Sequence, residues 1–185
     1  LEYNLKDIKE ISDMKQYVYP ILSKDYTDGS GVFVGNLFIT AGHVIDEAQE
    51  PYIISNGVSI SLAKDYAILF HNDDTADGYD IAVYQIDSVK SELYLSDTQP
   101  NASMELTSVS YKTMAQGKEL FVCNATVREE SEGNYFYVDT DAILTTGSSG
   151  SPIIKDNKVY GILCRGAEGT SLCAFLYSTA ILKML

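Results

Sequence analysis

Gly29-Ser-Gly-Val-Phe-Val-Gly35 runs directly into Asn36-Leu-Phe-Ile-Thr-Ala-Gly-His43. Residues 32–34 and 36–40 read as two short strands of the buried type, rich in β-branched and aromatic side chains. The second strand stops abruptly at Ala41-Gly42, which delivers His43 at its end. Outward from this pair the chain repeats the same pattern. Residues 17–23, 52–55, 67–70, 81–86, 120–125, 135–138, 152–154 and 159–163 are rich in Val, Ile, Tyr, Phe and Thr, with Gly, Asn, Asp and Ser between them. Regularly spaced short strands with such punctuation predict an all-β, antiparallel barrel or sandwich rather than alternating β and α units.

The two ends differ. Leu5, Ile8, Ile11 and Met14 recur every three residues behind Asn4, a good N-cap, with Asp7 in the first turn. That spacing predicts a short amphipathic helix within 1–16. Ser178 followed by Ile181, Leu182 and Leu185 predicts a brief terminal helix. Between them the run Leu-Ser-Asp-Thr-Gln-Pro-Asn-Ala at 95–102 has no apolar periodicity and holds Pro100, so it reads as a connector between two β lobes. The expected division is a helix over 1–16, a first lobe over 17–96 and a second lobe over 97–185.

A chain of 185 residues, 45% hydrophobic and 21% charged, is ample to bury a core in one domain or in two small lobes sharing a site. Its 26 acidic residues against 13 basic ones give a formal charge of −13. A polyanion with no clustered Lys/Arg stripe repels phosphate, which argues against nucleic-acid and anionic-membrane partners. No apolar run approaches the roughly 20 residues of a membrane span. Residues 1–19 are charged and helix-periodic, unlike a signal peptide. The chain begins at Leu1 rather than methionine, which leaves room for a larger parent chain upstream. Cys123, Cys164 and Cys173 lack CxxC spacing and read as buried, reduced thiols, with a Cys164–Cys173 bridge as the rival. The odd count tilts the setting toward a reducing, intracellular compartment.

Three stretches carry candidate chemistry. His43 is one of two histidines, and a lone histidine is more often structural than catalytic. Asp80 opens the apolar run Asp80-Ile-Ala-Val-Tyr-Gln-Ile86, so it should lie at the edge of the core. A capping aspartate is the commoner use of such a position. If buried, its charge needs a partner, and an imidazole N–H would serve. In Gly147-Ser-Ser149-Gly-Ser-Pro152, two glycines beside a serine permit conformations that turn successive backbone N–H groups into one anion-binding concavity. A flexible Gly/Ser turn is the competing reading, and the apolar strand after Pro152 favours a fixed turn. A nucleophilic serine needs a base, and the base needs a carboxylate to hold its tautomer. The chain offers one candidate of each kind, in the order His43, Asp80, Ser149.

Thr40-Ala-Gly-His43-Val, Asp80-Ile-Ala-Val and Gly147-Ser-Ser149-Gly-Ser-Pro resemble the signature stretches of trypsin-like, chymotrypsin-clan serine proteases. The likeness is nearest to compact glutamyl-endopeptidase, HtrA-like and viral forms, and runs from about Gly29 to about Ile181. It implies two antiparallel six-stranded β-barrels with the site between them, His43 and Asp80 on the first and Ser149 on the second. It also implies His43 as general base, Asp80 as orienting acid, Ser149 as nucleophile and the N–H groups of Gly147 and Ser149 as oxyanion hole. The substrate would be a polypeptide and no cofactor would be needed. The alternative is a catalytically silent module that holds a peptide or partner without cutting it.

The departures are informative. The digestive branch places before the nucleophile an aspartate that pairs with a new N-terminus; this chain has Ser148, so that zymogen switch is not expected. By resemblance, Ile143, Thr145, Cys164, Arg165 and Gly166 would wall the substrate pocket. Ile143 stands where trypsin carries an acidic floor residue, so apolar or small side chains are expected ahead of acidic ones. Arg165 favours an acidic side chain only if its guanidinium turns inward. Asp73, Asp74 and Asp77 lie in one loop but do not follow an EF-hand pattern, and no metal is expected there. His71, within that polar region, is the weaker candidate base.

Overall fold

The computed structural model describes residues 14–25, 29–114, 117–144, 147–166 and 169–185. The expected N-terminal helix falls mostly on 1–13 and lies outside the described residues. Met14 is buried and packs with the core.

Seven short strands build the first lobe: β1 (Val18–Ile21), β2 (Gly29–Val34), β3 (Leu37–Thr40), β4 (Tyr52–Ser55), β5 (Val58–Ser61), β6 (Leu69–Asn72) and β7 (Asp80–Gln85). Five of them form one antiparallel sheet in the order β1-β2-β3-β7-β6. Strands β4 and β5 make a separate hairpin, tied back to the sheet by the Leu22–Tyr52 bridge. The opening strand pair is the β2–β3 hairpin, with Val34 facing Leu37 across Gly35-Asn36. Gly35 has φ +57°, a conformation that suits glycine in a two-residue hairpin turn. Inside the lobe, Phe33, Phe38, Ile39, Ile53, Leu62 and Tyr84 are almost wholly buried. Phe38 lies across Gly31, where a Cβ would sit 2.2 Å from its ring, so the absence of a side chain there creates the space for the phenyl group.

The second lobe contains β8 (Tyr94–Leu95), β9 (Glu105–Met114), β10 (Gly117–Glu132), β11 (Tyr135–Thr140), β12 (Pro152–Lys155), β13 (Lys158–Gly166) and β14 (Leu172–Tyr177). Strands β12-β9-β10-β11-β14-β13 pair in that order, and β13 pairs again with β12, which closes a six-stranded barrel. Strand β8 adds to β13 in parallel, so the chain joins the second lobe at Tyr94, ahead of the Pro100 run. Ser178–Met184 forms the terminal helix. One apolar cluster runs from Val32, Ile39, Ile81 and Val83 of the first lobe into Val109, Phe136, Ile153 and Phe175 of the second. The two lobes therefore share a core, and the strand ends that meet at their junction have defined positions.

Strand β9 departs most from the sequence reading, which assigns no strand there. Its inward positions include Ser108 and Ser110, both buried, so its period-two apolar signal is weak. Their hydroxyls donate to the carbonyls of Pro152 and Phe121. Strand β14 is likewise absent from that reading, because Leu172–Tyr177 is a continuous apolar run leading straight into a helix. Among the described residues, no helix is long and apolar enough to cross a membrane.

Candidate active site

The end of β3 delivers His43 as the sequence suggests, with one addition. His43 sits in the first turn of a short helix, α1 (Gly42–Glu47), rather than on the strand itself. Gly42 permits this: a Cβ there would lie 2.0 Å from the His71 carbonyl oxygen and 3.1 Å from Asp80 Oδ1. Asp80 opens β7 beside it and is 1% exposed. Its Oδ1 accepts the His43 backbone N–H at 2.7 Å, and its Oδ2 lies 2.6 Å from His43 Nδ1. Asp80 is thus a buried carboxylate whose two oxygens are both engaged by one histidine. Burial of the ring disfavours its charged form, but the hydrogen bond and charge of Asp80, with Glu47 and Asp74 adding, outweigh this and raise the His43 pKa above 6.5. With Nδ1 facing a carboxylate, the neutral ring carries its proton there and keeps a lone pair on Nε2. His71 lies exposed on edge strand β6, its ring 6.1 Å from Tyr79, and takes no part in this pair.

The loop between β11 and β12 carries Ser149. Gly147 adopts φ +102° and Gly150 φ +90°. A Cβ on Gly150 would meet the Ser30 carbonyl oxygen at 2.0 Å, Thr40 Oγ1 at 2.2 Å and the Ala41 nitrogen at 3.2 Å. The loop is therefore seated on β2 and on the end of β3, just before His43. Its carbonyls are engaged on the protein side. Gly147 C=O accepts from Ser30 Oγ at 2.6 Å, and Ser149 C=O accepts from the Ser30 N–H at 2.8 Å. Ser148 C=O accepts from the N–H and the hydroxyl of Ser151. Among the described residues, by contrast, the N–H groups of Gly147, Ser148 and Ser149 donate to no acceptor. Gly147 and Ser148 are buried, and buried N–H groups without an acceptor are rare in proteins. A run of such donors provides a site for an incoming oxyanion. The Ser149 hydroxyl, half-buried, also makes no hydrogen bond among the described residues.

Ser148, the residue before Ser149, turns its hydroxyl into the second barrel, 3.5 Å from Ser110 Oγ. That position is neutral and 2% exposed. The remaining site candidates are less concentrated. Ile143 is 52% exposed, and Thr145 lies outside the described residues. Cys164 is buried, with its thiol against the Asp80 carbonyl at 3.4 Å, and burial holds its pKa well above the usual thiol value. Gly166 is exposed at the end of β13. The Arg165 guanidinium lies over the Tyr135 ring, 5.1 Å from its centre, and donates to the Asp74 carbonyl in the other lobe. Arg165 is thus committed to the lobe junction. Cys123, Cys164 and Cys173 are free and buried, with no Cys164–Cys173 bridge. The Asp73 carboxylate is occupied by the backbone and hydroxyl of Thr75, and no group of acidic, cysteine or histidine residues suited to a metal occurs among the described residues. Sequence reasoning missed Ser30 and Thr40 as supports of the loop. Their signal was polarity inside otherwise apolar strands, both residues being wholly buried.

No curated protein sequence matches the chain. Among solved structures, the active form of the Rv3671c protease from M. tuberculosis superposes with a TM-score of 0.73 at 13% identity, covering 99% of this chain and 86% of that one. The scabies mite inactivated protease paralogue S-D1 gives 0.71 at 15% identity, covering 93% and 92%. The tobacco vein mottling virus protease gives 0.63 at 15% identity, covering 96% and 83%. At these identities the likeness is one of fold. The family model of the trypsin-like peptidase domain matches residues 29–162, which span the His43, Asp80 and Ser149 stretches, and the chain belongs to that family.

Proposed function

We propose that this protein is a serine endopeptidase in which Ser149 attacks the scissile carbonyl, His43 serves as base and then acid, and Asp80 orients and stabilises the imidazolium. The observation that carries this reading is the pairing of a His43–Asp80 couple, its carboxylate buried, with a serine loop whose consecutive N–H groups lack acceptors among the described residues. In the attack, Ser149 Oγ bonds to the carbonyl carbon, its proton passes to His43 Nε2, and the carbonyl oxygen takes the negative charge. The N–H groups of Gly147 and Ser149 receive that oxyanion. On collapse, His43 returns the proton to the leaving amine and an acyl-enzyme remains, which water hydrolyses by the same relay. No Ser149–His43 hydrogen bond is made among the described residues, and in this mechanism it forms as substrate seats.

The pocket preference we infer is apolar or small. It rests on Ile143, which supplies no charge, and on Arg165, whose guanidinium is engaged with Tyr135 and Asp74. The deciding experiment combines a mixed-peptide cleavage profile with fluorophosphonate labelling of the parental chain and Ser149→Ala. Cleavage and labelling of the parent, both abolished in Ser149→Ala, are expected, with turnover lower by about 10⁴–10⁶-fold. A parent that binds peptides but is neither labelled nor active is a binding module instead, and that result overturns the proposal.

A further inference from the structure

We propose that Ser30 is a positioning residue for the anion-binding loop: its hydroxyl on the Gly147 carbonyl keeps that carbonyl turned away from the oxyanion site and the Ser148 N–H turned toward it, while its backbone N–H on the Ser149 carbonyl anchors the far side of the nucleophile. This rests on the reading of Ser149 as nucleophile. Ser30 is 0% exposed, and every polar group it carries is used. The Tyr111 N–H reaches its Oγ at 3.0 Å and can only donate, so the hydroxyl must direct its own proton to a carbonyl. Gly147 C=O, at 2.6 Å, is far better placed for it than Tyr111 C=O at 3.5 Å. The Ser30 N–H donates to Ser149 C=O at 2.8 Å, and its own carbonyl accepts Thr40 Oγ1 at 2.7 Å. One residue of β2 therefore joins the first lobe, strand β9 and both carbonyls that bracket the Ser148–Ser149 step.

The reason lies in peptide planarity. In a trans peptide, C=O and N–H point in opposite directions. Holding Gly147 C=O on Ser30 therefore sends the Ser148 N–H the other way. Ser151 does the same for the next peptide by holding Ser148 C=O, which turns the Ser149 N–H outward. Without the Ser30 hydroxyl, a buried carbonyl loses its partner and Gly147 becomes the free joint of the loop. Having no Cβ at φ +102°, Gly147 can let the Gly147–Ser148 peptide rotate. Rotation would aim a carbonyl at the place where the oxyanion forms and reverse the local dipole. Preorganisation, rather than any contact with substrate, is then what Ser30 supplies.

The test compares the parental chain, Ser149→Ala, Ser30→Ala and Ser30→Thr by steady-state kinetics on one fluorogenic peptide. A peptide aldehyde, which forms an oxyanion adduct, and the corresponding product-like peptide acid serve as binding probes. Ser30→Ala is expected to lose about 10²-fold in kcat with KM within about threefold. Its aldehyde affinity should fall in parallel, its affinity for the product-like peptide should hold, and its acid-limb inflection should match the parent because His43–Asp80 is untouched. Ser30→Thr, which keeps a hydroxyl, should recover most of the activity. If Ser30→Ala fails to fold, Ser30→Cys is read in the same assays, with an intermediate loss expected from its weaker donor. A folded Ser30→Ala variant with parental kcat and aldehyde affinity overturns the Ser30 role alone. So does a loss confined to KM and product binding. A parental chain that neither cleaves peptides nor takes a fluorophosphonate label overturns the protease reading, and this one with it.

Discussion

Replacing Asp80 with asparagine removes one charge while leaving shape and volume almost unchanged, and its effect on His43 can be worked out atom by atom. Asp80 accepts two hydrogen bonds from His43, the backbone N–H on Oδ1 at 2.7 Å and the Nδ1 proton on Oδ2 at 2.6 Å. A carboxamide has one acceptor oxygen. The backbone N–H can only donate, so it captures that oxygen and leaves the amide NH2 facing Nδ1. The ring answers by moving its proton to Nε2, the atom that accepts from Ser149 in the proposed mechanism, and the base is then in the wrong tautomer for it. The charge that balances the imidazolium is lost as well. A carboxylate about 4 Å from the forming imidazolium contributes about 4 kcal/mol at an effective dielectric constant near 20. That is about three decades in rate, and the tautomer reversal adds about one more. Asp80→Asn is therefore expected to lower kcat/KM by about 10³–10⁴-fold with its melting transition retained. The assay is hydrolysis of a fluorogenic peptide chosen from the cleavage profile, followed across pH. A variant within about tenfold of the parental kcat/KM refutes the reasoning, because neither the carboxylate's charge nor its acceptor geometry would then matter.

The pH dependence is set by the same pair. Asp80, Glu47 and Asp74 outweigh burial and raise the His43 pKa, so the acid limb of kcat/KM should bend above pH 6.5, and the bend should move down in Asp80→Asn. For stability the sign is opposite: charged His43 stabilises the fold below about pH 6.5, and that contribution fades as pH rises through the raised value, which thermal melts across pH would register. Gly150→Ala would place a Cβ 2.0 Å from the Ser30 carbonyl at φ +90°. Backbone strain alone costs about 1–3 kcal/mol, so a Tm lower by about 2–12 °C and loss of peptidase activity are expected, against parental values if the loop is loosely seated. Cys123 and Cys173, with pKa values pushed up by burial to about 12 and about 11, and buried Cys164 should resist a disulfide-exchange reagent at about pH 8 until the chain unfolds. Rapid titration of any one in the folded protein would contradict this packing.

The candidate site was legible to the extent that its chemistry is local. His43, Asp80 and Ser149 each sit beside glycine or at the start of a strand, where a short stretch dictates the backbone. The strands with strong apolar patterns, β2, β3 and β7 among them, were legible for the same reason. Strand β9 was not, because its inward serines are tolerated only where neighbouring strands supply acceptors, and the β14 run is as apolar as a buried helix. The short helix α1 escaped notice because a single turn beginning at a glycine carries no periodic signal.

The amino-acid sequence by itself determined the all-β class, the acidic character, the family, and the order and identity of the three candidate side chains. These depend on composition, alternation and short motifs, which act over a few residues. Only the tertiary structure decided that both Asp80 oxygens are taken by His43 across 37 residues, and that Ser30 reaches Gly147 across 117. It likewise decided that Arg165 is drawn over Tyr135 to the opposite lobe. A hydrogen bond depends on angstroms of separation between groups whose distance along the chain says nothing about their distance in space, so only the packing of the two lobes against each other could set these pairings.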